Sequence, residues 1–192
     1  MKKMFLIFTL CVAFAQIVSA QDGSEKKGFD KSKLFFGGTF GLGFSSYSTA
    51  INISPLVGYR FSQLFAAGFG INYAYYNYKY LDYGTNDIYR RDIYSYVGLN
   101  VFGRIYPIPQ FFIHAQPEVN YVWGKVKYYG NQDYEQKIDN QFVPSLLLGG
   151  GAAIPMGRNG AFTISILYDV LQNSLSPYYR QPVYGLGFNV GF

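Results

Sequence analysis

The chain predicts an all-β fold, an eight-stranded antiparallel up-and-down transmembrane β-barrel, and three observations carry that expectation. From residue 34 onward, large apolar residues alternate with small or polar ones, a period of two that belongs to strands. The stretches between alternating segments are polar after the odd-numbered strands and tight after the even-numbered ones. Charges are almost absent from the alternating segments, although the whole chain carries 16 basic and 11 acidic residues. No apolar run after the first twenty residues is long enough to be a spanning helix, so insertion into a bilayer would have to be by strands.

The amino-terminal stretch reads as a signal rather than as structure. Lys2 and Lys3 form a positive n-region, Met4 to Ile17 an apolar core, and Val18-Ser19-Ala20 a small-residue cleavage site. The expected organisation is a signal peptide over 1–20, a disordered periplasmic tail over 21–33 and the barrel over 34–192. Cys11, the single cysteine, lies inside the apolar core, so cleavage leaves neither a disulfide nor a cysteine metal site. The basic residues are scattered rather than striped, which argues against a nucleic-acid partner.

The strands follow in order. The first is Leu34 to Phe44, with Phe36, Phe40, Leu42 and Phe44 on one face and glycines on the other. After a polar turn, Ile51 to Phe61 is the second, and Leu64 to Tyr78 the third. Lys79 to Asp92 reads as a long polar loop. The fourth strand spans Ile93 to Tyr106 and the fifth Phe111 to Lys125. Val126 to Gln141 is a second long polar loop. The sixth strand, Phe142 to Ile154, is glycine-rich, which leaves its register open. Ala161 to Leu171 is the seventh, Gln172 to Gln181 the last loop, and Val183 to Phe192 the eighth. Pro117 sits in mid-strand, where a bulge is expected because proline removes a ladder donor. Pro55, Pro144 and Pro182 are expected near the upper strand ends.

The apolar face is expected to point outward. A soluble eight-stranded barrel would turn it inward and carry charges on its water-facing surface, yet the strands hold only Arg60, Arg104, Glu118, Lys125 and Asp169. Aromatics of the apolar face gather toward both strand ends, such as Phe61, Phe65 and Phe111 below and Tyr73, Tyr121 and Trp123 above, as two interfacial girdles would. The connection lengths then place both termini in the periplasm.

Three stretches, Ser54-Pro-Leu-Val-Gly-Tyr-Arg60, Phe102-Gly-Arg-Ile-Tyr106 and the terminal strand, resemble the small outer-membrane β-barrel domain family of Gram-negative bacteria, the OmpA/OmpX-like barrels. The resemblance covers the region after the signal. It implies the cell outer membrane, with membrane lipid and the barrel-assembly machinery as partners. It also implies that the outward face of the last strand, Tyr184, Leu186, Phe188, Val190 and Phe192, is the assembly signal.

Candidate chemistry lies on the inward face. Arg60, Arg104, His114, Gln116, Glu118 and Asp169 are expected to form a buried polar network, with Arg104 and Glu118 paired across neighbouring strands. A hydrolytic reading of His114 with Ser165 and Asp169, as in lipid-modifying barrel enzymes, is the less favoured one, because the single histidine points inward. The lumen-facing Phe35, Leu56, Tyr94, Tyr96, Phe102 and Phe112 suggest a narrow conduit or binding barrel for a small, partly apolar solute, but they fill an eight-stranded interior as well, which is the favoured reading. The favoured reading is a closed barrel, not an enzyme, without cofactor or metal, working as a structural or interaction protein. Loop residues Tyr83, Tyr89, Arg90, Arg91, Tyr129 and Tyr134 are the expected contacts for an extracellular partner.

Overall fold

A computed structural model describes residues 30–82, 84–85, 87–130, 133–157 and 159–191. The expected signal peptide, most of the expected tail, Tyr83 and Phe192 lie outside the described residues. The sequence-based tail ends in a 3-10 turn at Lys31–Lys33 that leads into the first strand.

Among the described residues there are eight strands: β1 (Leu34–Phe44), β2 (Ser48–Arg60), β3 (Phe65–Leu81), β4 (Ile88–Ile108), β5 (Phe111–Tyr128), β6 (Tyr134–Met156), β7 (Gly160–Asp169) and β8 (Pro182–Gly191). Each pairs antiparallel with its sequence neighbours, and β8 returns to β1 to close the barrel. We call the end holding the β1–β2, β3–β4, β5–β6 and β7–β8 connections the upper end.

The alternation read from the sequence becomes inside and outside. On the outer face Phe36, Phe40, Phe69, Leu99, Ile113, Ile166 and Phe188 are all exposed, whereas Phe35, Tyr96, Phe102 and Phe112 are buried within. Large side chains inside are seated on glycines across the sheet. A Cβ on Gly58 would collide with the Phe35 ring, and one on Gly151 with the Phe112 ring and the β7 backbone. In a lumen this narrow, every large residue needs a small neighbour. The glycine-rich β6 acquires a definite register here, with Val143, Ser145 and Leu147 buried and Phe142 and Leu148 outside.

Two expectations about length and two about prolines are corrected. The segments 79–92 and 126–141 are mostly strand: β3 with β4 pairs as far as Leu81↔Ile88, and β5 with β6 as far as Tyr128↔Tyr134. The true turns are short. Asp82 caps one, its Oδ1 accepting from the Gly84 amide at 2.7 Å. β4 and β6 thus reach 21 and 23 residues, while β7 and β8 have 10 each, so one wall of the barrel stands well above the other. Pro117 makes no bulge. It keeps register opposite Leu146, and the β4–β5 ladder merely skips its neighbourhood between Asn100↔Glu118 and Gly103↔Ala115. The register shifts fall elsewhere, one of them on β6 between Ile138 and Gln141, opposite Trp123. Pro55 and Pro144 pair within their ladders, facing Gly38 and Val119, rather than marking strand ends.

Candidate functional site: a one-way hydrogen-bond chain under an inserted loop

The lumen is layered. Phe35, Ala66, Phe102, Tyr106 and Phe112 fill the lower part, and Ala74, Tyr96, Leu147, Leu167 and Tyr178 the upper part. Polar side chains of β5 run between them, because His114, Gln116, Glu118 and Asn120 share its inward face.

Arg104 does not pair with Glu118, as the sequence-based reading expected. It faces His114 in the β4–β5 register, and its Nε donates to His114 Nδ1 at 3.1 Å. An Nδ1 that accepts requires the proton on Nε2, which lies 3.0 Å from Gln116 Oε1 and donates to it. Gln116 Nε2 then donates to Glu118 Oε2 at 2.8 Å. Guanidinium and carboxylate are therefore joined by three hydrogen bonds that all point the same way. Such a chain polarises each link in favour of the next.

Both ends of the chain are held. The Arg104 guanidinium lies 5.0 Å from the centre of the Phe102 ring and 4.8 Å from that of Phe112, and the His114 ring stacks on Phe102. With the Asn189 amide turned to present its oxygen, Arg104 Nη1 donates to it at 3.2 Å. At the other end Glu118 Oε1 accepts from Tyr178 Oη at 2.8 Å and from Asn72 Nδ2 at 3.1 Å. Asn72 also reaches Asn120 Oδ1 at 3.1 Å. Gly98 makes room for this pair of amides, since a Cβ there would lie within 2.8 Å of both polar atoms of the Asn72 amide.

Tyr178 belongs to the β7–β8 connection, which folds into the barrel mouth rather than standing above it. Ser176 and Tyr178 are both buried. Ser176 Oγ donates to Asp169 Oδ2 at 2.7 Å, and the Tyr178 amide donates to Ser176 Oγ at 3.2 Å. Asp169 Oδ1 accepts from the Leu146 and Leu171 amides, both at 3.1 Å, and Gln172 Nε2 donates to the Asp169 carbonyl. Asp169 therefore serves the loop rather than the β5 row. Two deeply buried carboxylates, Glu118 and Asp169, thus hold the same loop, one through Tyr178 and the other through Ser176 and Leu171.

Arg60 stands apart from this network. It is exposed at the lower rim, with its guanidinium 5.2 Å from the Tyr106 ring centre. The hydrolytic constellation is not assembled, because both ring nitrogens of His114 are engaged by Arg104 and Gln116. Among the described residues no cluster of three or more metal-ligating side chains occurs.

The upper-end residues pair mostly with one another. Arg90 makes a two-pronged contact with Asp92 at 2.7 Å and lies between the Tyr80 and Tyr128 rings. Tyr128 stacks on Tyr134 at 4.5 Å, Tyr80 packs against Tyr89, and Arg91 lies 6.0 Å from the Tyr129 ring centre. On the outer face Glu135 bridges Lys125 and Lys127 at 3.3 and 3.4 Å. On the last strand, Tyr184, Leu186, Phe188 and Val190 are exposed on the outer face.

Asn72, Asn120, Ser145, Ser176 and Tyr178 belong to the site and were not singled out from the sequence. Asn72 and Asn120 carried a signal, since both occupy the inward parity of their strands. Tyr178 carried a fainter one: residues 171–178 form an uncharged stretch, unlike the β3–β4 and β5–β6 connections. No protein-family model matches the chain, and no curated protein matches it.

Proposed function

We propose that the chain is an outer-membrane barrel with a closed lumen, acting as a structural or interaction protein rather than as an enzyme or an open channel. One observation carries the reading: the outer face is largely apolar and turns polar on β3 and β5 at the same level. On β5 the outward residues run Phe111, Ile113, Val119, Tyr121 and Trp123, then Lys125 and Lys127. On β3 they run Phe69, Ile71, Tyr73 and Tyr75, then Asn77 and Lys79. The ten-residue β7 and β8 match the length of strand needed to cross a bilayer, and the surplus of β4 and β6 would stand outside it. No helix among the described residues is long and apolar enough to cross a membrane.

Closure is supported by the chain from Arg104 to Glu118 and by the Phe102 and Phe112 rings beside it, which together fill the middle of the lumen. The resemblance in the terminal strand supports the outer membrane as the location and its outward face as the assembly signal. The standing wall of β3 to β6 is the surface that an extracellular partner would meet. Planar-bilayer recording tests the proposal together with gel migration of boiled and unboiled samples. The expected result is heat-dependent migration with no steady conductance. A large, stable channel, or a protein that stays soluble without detergent, would contradict it.

A further inference from the structure

The barrel is closed over only half its height on one side. Between β1 and β8 the ladder runs from Phe35↔Gly191 to Thr39↔Gly187 and stops. Above it, Phe40 to Phe44 pair only with β2, and Pro182 to Leu186 pair only with β7. Two facing strand edges are left unjoined. The outward residues flanking this seam, Phe40, Leu42, Tyr184 and Leu186, are apolar and exposed. The inward positions of β1 beside it are Gly41 and Gly43, and a Cβ on either would touch only β2.

Behind the seam lies a cavity of about 610 Å³ in the upper lumen. Its wall includes Asn52 on β2 and Val183 and Tyr184 on β8, the two strands that flank β1. Pro182, Val183 and Tyr184, which have no partner on β1, thus belong both to the seam and to the cavity wall. Tyr76, Tyr78, Tyr94 and Tyr96 line the far side, and no charged residue lines the cavity among the described residues. Tyr96 is only 2% exposed and its ring stacks on Tyr76. Tyr178 packs edge-on against Tyr96 and binds Glu118, so the cavity floor is the polar layer already described.

We propose that this cavity receives an uncharged single-chain amphiphile from the bilayer, entering sideways through the β1–β8 seam. The inference rests on the membrane reading above but goes beyond it. Backbone groups left unpaired in hydrocarbon are costly. A guest bearing hydroxyl groups offers partners to the unjoined strand edges, while its chain lies against the tyrosine faces and the apolar rims of the seam. A net charge is disfavoured because no counter-charge lines the cavity. The closed floor makes the cavity a dead end, so the guest is bound or presented upward rather than conducted across.

The test uses the protein in lipid nanodiscs with ring-labelled tyrosine, titrated with 1-monolauroylglycerol and followed by NMR. Saturable shifts of Tyr76, Tyr96 and Tyr178 are expected, with the anionic lysophosphatidylglycerol of equal chain length binding at least about ten-fold more weakly. Leu42→Cys with Tyr184→Cys, positions that would face each other if the ladder continued, should lock the seam as a disulfide. The lock should slow exchange by about ten-fold or more, and a reductant should restore it. Gly41→Phe, which fills the passage without a crosslink, should weaken binding similarly. No saturable shift in a correctly inserted barrel would overturn the proposal, as would unchanged exchange in the locked form or equal binding of the anionic lipid. Labelling of Phe40 and Leu186 positions, changed to cysteine, by a water-soluble maleimide would instead sink the membrane reading.

Discussion

Glu118 shows how a buried charge can be compensated at a distance. Its nearest cation, Arg104, is three hydrogen bonds away, and the intervening His114 and Gln116 are held in one tautomer and one amide orientation by their neighbours. Losing either charge leaves the other stranded. Arg104→Met or Glu118→Gln alone should cost about 3–5 kcal/mol, whereas the double variant should cost less than the sum. Unfolding in urea from detergent or lipid measures this, and strict additivity would show that the two ends do not communicate. Gly98→Ala should destabilise by about 1–3 kcal/mol, because the added methyl displaces the Asn72 and Asn120 amides. At this scale the sequence yields the face of each residue but not its rung. His114, Gln116 and Glu118 are visibly on one side of a strand, yet whether Arg104 stands opposite His114 or Glu118 depends on a register that the Pro109–Gln110 turn decides.

At the scale of the element, the upper connections diverge from what their composition predicts. Alternation of apolar and polar residues marks a strand only while its two faces meet different surroundings. Above the apolar belt both faces of β3 to β6 are polar, so segments 79–92 and 126–141 look like loops although they continue the ladder. The β7–β8 connection errs in the other direction: it reads as an open loop, yet it carries Ser176 and Tyr178 into buried positions. Tyr178→Phe removes its bond to Glu118 and should cost about 1–3 kcal/mol. Hydrogen exchange should then rise at 171–181 more than in the strands. An even rise over the whole barrel would mean that the loop and the barrel open as one unit. Trimming β5 and β6 above the Val122↔Gln141 pair should leave the barrel folded, since the lumen layers lie below it. Loss of heat-dependent gel migration in the trimmed protein would show that the tall wall is structural.

For the whole molecule, strand number, antiparallel order and the outward apolar face were all legible, because closure of eight alternating strands admits few other arrangements. The half-open β1–β8 side was not. Nothing in the alternation of either strand records where its ladder stops. The central claim is that the apolar face meets lipid and the polar row meets a closed interior. Single spin labels along β5 test it most directly, at the outward positions Ile113, Ala115, Val119 and Tyr121 and at the inward positions His114, Gln116 and Asn120, in reconstituted bilayers. The account predicts that outward labels collide freely with oxygen and are shielded from a water-soluble nickel reagent, while inward labels are shielded from both. Nickel access at the outward positions, or equal access on the two faces, would contradict it.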